Sequence, residues 1–201
     1  MTKKIWDLYA PVYELFMRAD EKIYKLMYRR IPKVIKGKKV LEIATGPGLL
    51  AKHVAGYAES MVATDYSDGM IDTAKKGEYP ANLTFEVADA TALPYEDGSF
   101  DVVIIANALH VMPEPEKALK EINRVLTDKG ILIAPNFIHK GQGLKSRLWS
   151  KMLTLAGIKF KHQWTKEAYE NFLSDNGWCV KNSKEMPSRI TMLYPECVKE
   201  N

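Results

Sequence analysis

The sequence predicts an α/β fold built on a mainly parallel sheet. Short apolar runs alternate with stretches of helical periodicity along most of the chain. One run, FDVVIIA at 100–106, is apolar almost without interruption, as a strand is when both faces of its sheet are covered. A turn of small residues, TGPG at 45–48, directly follows the first run.

Each element follows in order. Helical periodicity dominates 5–35, with Pro11 and Pro32 as punctuation. KVLEIA at 39–44 is a buried strand and 48–57 a helix. Residues 61–64 form a second strand, after which Ser67 N-caps a helix reaching residue 76. Strands follow at 83–87 and 100–106. Residues 115–126 carry Ala118, Leu119, Ile122, Val125 and Leu126 on one helical stripe. A fifth strand is expected at 130–138 and an apolar helix at 144–156. Thr165 N-caps a helix ending at Asn176-Gly177, and two last strands fit 180–184 and 190–198.

A chain of 201 residues hides about 70% of its extended surface on folding, enough for one core, so a single domain over 1–201 is expected. At 46% hydrophobic residues it is too apolar to be disordered. No apolar stretch approaches the roughly 18 residues of a membrane span. Cys179 and Cys197 cannot build a disulfide framework, and no Cys/His spacing suits zinc, so no metal is expected. The N-terminal MTKKIWDLYAPVYELF carries charges within its apolar part, unlike a secretory signal; a reducing, cytoplasmic compartment is the expectation.

The net charge of +4 is unevenly spread. Residues 22–39 hold eight Lys or Arg and no acid, residues 140–166 hold seven more and no acid, and 59–128 is acidic. The basic ends suit either an anionic lipid or acidic substrate, or simply a solvated helix face.

In open α/β sheets ligands bind beyond the carboxyl ends of the strands. Gly46 and Gly48 follow the first strand and permit a sharp turn and close approach. Asp65 ends the second strand, where a carboxylate can accept both hydroxyls of a ribose. Together they imply an adenosine-containing ligand. GPGLLA at 46–51 also fits the dinucleotide fingerprint, so the loop alone does not separate NAD from other adenosyl ligands.

The order VLEIATGPG, VATDYSDGM, VADATALPYEDGSFDVV and NALHVMPEPEKALKEINRVLTDKGILI resembles class I S-adenosylmethionine-dependent methyltransferases. The likeness covers about residues 38–138, and within the class it is similar to the small-molecule branch that includes quinone-biosynthesis enzymes. YAPVYELF near the N-terminus fits that branch too. One departure is Ala44, where the family often has glycine. The resemblance implies a Rossmann-like seven-stranded sheet of order 3-2-1-4-5-7-6, strand 7 antiparallel, with helices on both faces. It implies S-adenosylmethionine as methyl donor, S-adenosylhomocysteine as product, and no metal. Ala44, Thr45 and Gly46 would line the methionine part, with Glu42 orienting its amino group. Asp65 would hold the ribose, and Tyr66 and Met70 would pack near the adenine. Asp89 would accept from the adenine amino group, with the Ala90 amide facing the ring. Asn107 and Ala108 would border the reacting methyl. Each also has a plain structural reading: Asp65 and Asp89 as turn caps, Tyr66 and Met70 as core, Asn107 as a loop hydrogen-bonder.

Methyl transfer from a sulfonium leaves a neutral thioether and needs no acid, so alignment is the protein's main task. Trp6, Tyr9 and Tyr13 are candidates for an aromatic wall beside the sulfonium, if residues 1–36 form a helical cap over the donor; otherwise they are the apolar stripe of a docking helix. His110 is the candidate base, its ordinary pKa suiting the role, or else a packed hydrogen-bonder. Within 140–176 a helical insertion carries Leu144, Leu148, Trp149, Met152, Leu153 and Leu155 among Lys and Arg. It reads as a lid over an apolar acceptor, as an interfacial helix in peripheral contact with a membrane, or as an ordinary helix covering the sheet. The expected partner is a small-molecule methyl acceptor offering an O, N, S or C atom, with lipid- or quinone-directed transfer and a non-catalytic binding module as alternatives. The chain is expected to be a monomer or homodimer. No tyrosine is followed four residues on by lysine, against a short-chain dehydrogenase. NALH stands where amino-methylating DNA enzymes carry Asn/Asp-Pro-Pro-aromatic, so no nucleic acid is expected.

Overall fold

The computed structural model describes residues 6–7, 21–139, 161–186 and 191–200. Strand β1 (Lys39–Ile43) pairs in parallel with β2 (Ser60–Asp65) on one side and β4 (Phe100–Ile105) on the other. Strand β3 (Leu83–Val87) extends the sheet beyond β2, and β5 (Leu126–Ile133) extends it beyond β4, again in parallel. The chain thus winds outward from β1 in one direction, then from β4 in the other. The reversal opens a crevice at the carboxyl ends of these two strands.

Strand β6 (Asn136–Phe137) is a two-residue continuation of β5. Both pair antiparallel with β8 (Met192–Lys199) in one unbroken register, from Ile131↔Val198 to Phe137↔Met192. At the break Pro195 of β8 accepts from the Ala134 N–H at 3.3 Å but has no N–H to return. Strand β7 (Trp178–Met186) covers the other edge of β8 along its whole length. The lateral order is therefore β3-β2-β1-β4-β5-β8-β7, β6 lying in line with β5. This is the expected arrangement, with the penultimate strand antiparallel.

Alternation along the buried strands builds two cores. Val40, Val102 and Ile104 face α1 (Glu21–Ile35), α2 (Leu49–Val54) and α3 (Asp68–Ala74). Leu41, Ile43, Val103 and Ile105 face α4 (Pro115–Val125) and α5 (Lys166–Asp175). Ile23, Met27, Ile31 and Ile35 form the fully buried stripe of α1. Ser67 caps α3 by accepting from the Met70 N–H, and Thr165 caps α5 by accepting from the Ala168 N–H, as the sequence indicates.

Pro32 punctuates α1 without ending it: the helix runs to Ile35, where its periodicity ends. One missing N–H near the helix end costs less than unburying Ile31 and Ile35, and the helix stops ahead of Gly37, which takes φ 65°. The second helix is α-helical only to Val54 and closes as a 3-10 turn over Ala55–Tyr57. Strand β5 starts at Leu126, four residues before expectation, because the polar TDKG bulges between the pairs Phe100↔Leu126 and Val102↔Ile131. Gly130 has no room for a side chain there, since a Cβ would lie 2.6 Å from Leu126 Cδ2. The expected helix over 144–156, Tyr9 and Tyr13 lie outside the described residues.

Candidate functional site

A cleft of about 270 Å³ opens at the carboxyl ends of β1, β2 and β4. Its first wall is the turn after β1. Ala44 takes φ 56° and Gly46 φ 58°, turning the chain so that the Gly48 N–H donates to the Thr45 carbonyl at 3.1 Å. Ala44 and Asn107 are the two non-glycine residues with positive φ among those described, and both line the cleft. Such backbone is costly for a residue with a Cβ and concentrates at functional sites.

Asp65 organises the centre. Its Oδ2 accepts from the Gly46 N–H at 2.8 Å and its Oδ1 from the Ser67 N–H at 2.9 Å. Each carboxylate oxygen keeps lone-pair capacity for a ligand hydroxyl. Burial raises the Asp65 pKa; the N–H groups of Ser67, Gly46 and Tyr66 act against that, and the nearby charge of Asp7 adds to it. Beyond Asp65, Tyr66 is 48% exposed within the cleft, and Met70 closes its base.

The turn after β3 supplies the facing wall with Ala88, Asp89, Ala90 and Thr91. Asp89 Oδ1 accepts from both the N–H and the hydroxyl of Thr91 at 2.8 Å. Residues 93–98 are then tied to the last turn of α4. Arg124 donates to the carbonyls of Leu93 and Tyr95 and to Asp97, and Glu121 accepts from the Leu93 N–H. The third wall follows β4: Ala106, Asn107, Ala108, then Val111, Met112, Pro113 and Glu114.

Ala44, Gly46, Asp65, Tyr66, Met70, Asp89, Ala90, Asn107 and Ala108 thus come together around one cleft, with Trp6 in its wall. Glu42, Thr45, Gly48 and His110 do not line it. Gly48 is set behind the turn with φ 78°, where a Cβ would lie 2.8 Å from the Phe85 ring. Its need for glycine is thus met by packing against β3. Glu42 and Thr45 are buried beneath the turn, and Glu42 Oε2 and Thr45 Oγ1 have no hydrogen-bond partner. Burial pushes the Glu42 carboxyl up to about 8; the polar groups of Thr45 and Ala51 pull the other way, and the charge of Asp65 adds to the rise. His110 is buried against β6, its Nδ1–H donating to Asn136 Oδ1. Burial lowers its pKa to about 4; Asn136 opposes this, and His139 and His162 add to it. Its carbonyl accepts from the N–H groups of Lys161 and His162, which fastens the returning chain.

The sequence reading missed 111–114 and Asp7. The apolar VMP was the available signal for the former. Nothing local marks Asp7, whose partners lie sixty residues away.

A methyltransferase-domain family matches residues 41–134, the span from β1 through the end of β5. The demethylmenaquinone methyltransferase of Paenarthrobacter aurescens is 32% identical over 176 residues, covering 79% of this chain and 69% of the relative. The chain belongs to the S-adenosylmethionine-dependent methyltransferases. A second relative of this family, the demethylmenaquinone methyltransferase of Renibacterium salmoninarum, is 35% identical over 122 residues, 61% of this chain and 51% of the relative. The chain spans between 41% and 69% of the length of these curated relatives and others like them. Among solved structures, a chain of the complex between the Haloferax volcanii Trm112 methyltransferase activator and a methyltransferase matches with TM-score 0.84 at 19% identity, covering 100% of this chain and 98% of that one. The DhpI–S-adenosylhomocysteine complex matches with TM-score 0.77 at 19% identity, covering 98% and 95%. These likenesses establish the methyltransferase fold. Among the described residues no His, Cys, Asp and Glu cluster could hold a metal, and no helix is long and apolar enough to cross a membrane.

Proposed function

We propose that this chain transfers a methyl group from S-adenosylmethionine to a small, apolar acceptor of quinone type. The observation that carries the reading is Asp65. It sits at the switch point, held by two backbone N–H groups, and faces a cleft wide enough for a ligand. The residues fit the donor. Asp65 meets ribose hydroxyls; Tyr66, Met70 and the Ala88–Ala90 turn enclose a purine; and Asn107 Oδ1, buried without a partner, offers an acceptor to an ammonium group. Behind the turn Glu42 Oε2 and Thr45 Oγ1 are two further buried polar atoms without partners.

When bound, the donor supplies an electrophilic methyl whose departure leaves a neutral thioether. The chain's own part is alignment, which in well-oriented reactions lowers the barrier by about 7–11 kcal/mol. The strained turns at Ala44 and Asn107 fix the floor against which a donor is pressed. Val111, Met112 and Pro113 form an apolar wall suited to a ring-bearing acceptor. His110 is given a supporting place instead of the role of base, because its ring lies outside the lining and its Nδ1 is engaged. The printed names of the relatives, demethylmenaquinone and ubiquinone/menaquinone biosynthesis methyltransferases, support the acceptor class.

The test is incubation with methyl-labelled donor and a panel of reduced quinones, catechols and amines, with the labelled product extracted into organic solvent. Label in a quinol product supports the reading; transfer to amines alone contradicts it.

A further inference from the structure

Of the N-terminal stretch, Trp6 and Asp7 are described, and both bear on the cleft. Trp6 forms part of its wall. Asp7 Oδ1 accepts from the Ser67 hydroxyl at 2.5 Å and from the Gly69 N–H at 3.1 Å. The approach to Gly69 is close: a Cβ there would lie 3.1 Å from Asp7 Cα. Ser67 is fully buried and spends its other bonds on the same site. Its N–H donates to Asp65 Oδ1, and its Oγ accepts from the Met70 N–H. One serine therefore joins the carboxylate assigned to the ribose, the methionine at the base of the cleft, and the carboxylate next to Trp6 in the chain.

Holding Trp6 in the cleft wall costs backbone entropy, so its segment needs a tie to the body of the fold. Hydrogen bonds to a charged acceptor are the strong kind. The contacts of Asp7 supply the tie, and they fall on the residue that also orients Asp65. An aromatic face held beside a cationic ligand is worth about two- to thirtyfold in affinity.

We propose that Asp7 is a positioning residue for the methyl donor: through Ser67 and Gly69 it holds Trp6 in the cleft wall, and retention of donor and product depends on that contact. The inference rests on the reading under Proposed function. Asp7 acts at one remove, by way of Trp6, with Ser67 and Gly69 as its anchors, and has no part in the transfer itself.

The test compares the full chain with Asp7→Ala, Asp7→Asn, Gly69→Ala, Trp6→Ala and the Asp7→Ala/Trp6→Ala double variant. Titration calorimetry with S-adenosylmethionine, which carries the sulfonium charge, and with S-adenosylhomocysteine is run beside amide hydrogen exchange of the free proteins. Asp7→Ala is expected to weaken binding about tenfold, the lower range for a hydrogen bond to a charged group. Asp7→Asn retains an oxygen that accepts both bonds and should stay within about threefold of the parent. Gly69→Ala improves helix propensity yet presses a Cβ on Asp7, so it should bind more weakly while folding no worse. The double variant should bind like Trp6→Ala, because the two residues act in series. In the free Asp7→Ala protein the Gly69 amide should exchange faster. Unchanged affinity in both Asp7→Ala and Gly69→Ala, or fully additive losses in the double variant, would overturn the proposal. A parent chain that binds no product would instead remove the methyltransferase reading, and the Gly69 exchange rate would still judge the Asp7 contact alone.

Discussion

Replacing Glu42 by glutamine should stabilise the free protein at neutral pH. Glu42 sits on β1 facing α1 and α2, fully buried, with its Oε2 unpaired. The groups around it are the Tyr28 hydroxyl from α1, the Ala51 N–H from α2, Thr45 from the turn and the Asp65 carboxylate from β2. None is a cation. Burial therefore lifts its pKa from 4.5 to about 8. The sign follows directly. Above pH 4.5 the unfolded chain releases this proton while the folded chain keeps it, so stability falls as pH rises until the folded group ionises near 8. Each pH unit in that window costs about 1.4 kcal/mol, so the step from pH 5 to pH 7 costs about 3 kcal/mol. Glutamine has nearly the same shape and no proton to lose. Urea unfolding of both proteins at pH 5, 6 and 7 should show the Glu42→Gln advantage growing by about 3 kcal/mol across the range. An advantage that does not change with pH would mean the carboxyl is ionised in the fold, and the account of its surroundings would fail.

Other expectations follow from the same contacts. His110, held near pKa 4 by burial against an ordinary 6.5, should cost stability as pH falls from 6.5 towards 4, because the unfolded chain takes up the proton first; this acid-side loss should be missing in His110→Gln on urea titration. Gly48→Ala combines a left-handed backbone with a Cβ 2.8 Å from the Phe85 ring, and should lose about 2–4 kcal/mol in thermal unfolding. Ala44→Gly relieves a left-handed alanine at about 1–2 kcal/mol but frees the unfolded chain, leaving a net gain of about 0.5–1 kcal/mol by urea unfolding.

The central sheet was legible because β1, β2 and β4 are apolar enough to be buried on both faces, which leaves few alternatives for KVLEI or FDVVII. The start of β5 was not, since TDKG reads as a turn and its strand pairing resumes only across a bulge. The helix was legible through Pro32 because the apolar stripe continues past it: a local helix-breaking signal is outweighed by the burial of Ile31 and Ile35. In the site, residues at strand ends were readable because position in the sheet fixes what they can reach. That is how Asp65 was named; Asp89 and Asn107 came from the family resemblance, and all three line the cleft. Gly48 and His110 were named for their residue types, and packing decides their places. Gly48 makes room for Phe85, and His110 is turned towards Asn136. Asp7 was invisible because its meaning lies entirely in a contact with Ser67 and Gly69.

The most direct test of the account is calorimetric titration of the chain and its Asp65→Ala variant with S-adenosylhomocysteine and, separately, with NAD⁺. Saturable binding of the thioether to the parent is expected, weakened in the variant by about 1.5–3 kcal/mol for the lost charge-assisted hydrogen bonds, with no heat from NAD⁺. Binding of NAD⁺ with silence from S-adenosylhomocysteine, or equal affinity in parent and variant, would contradict it.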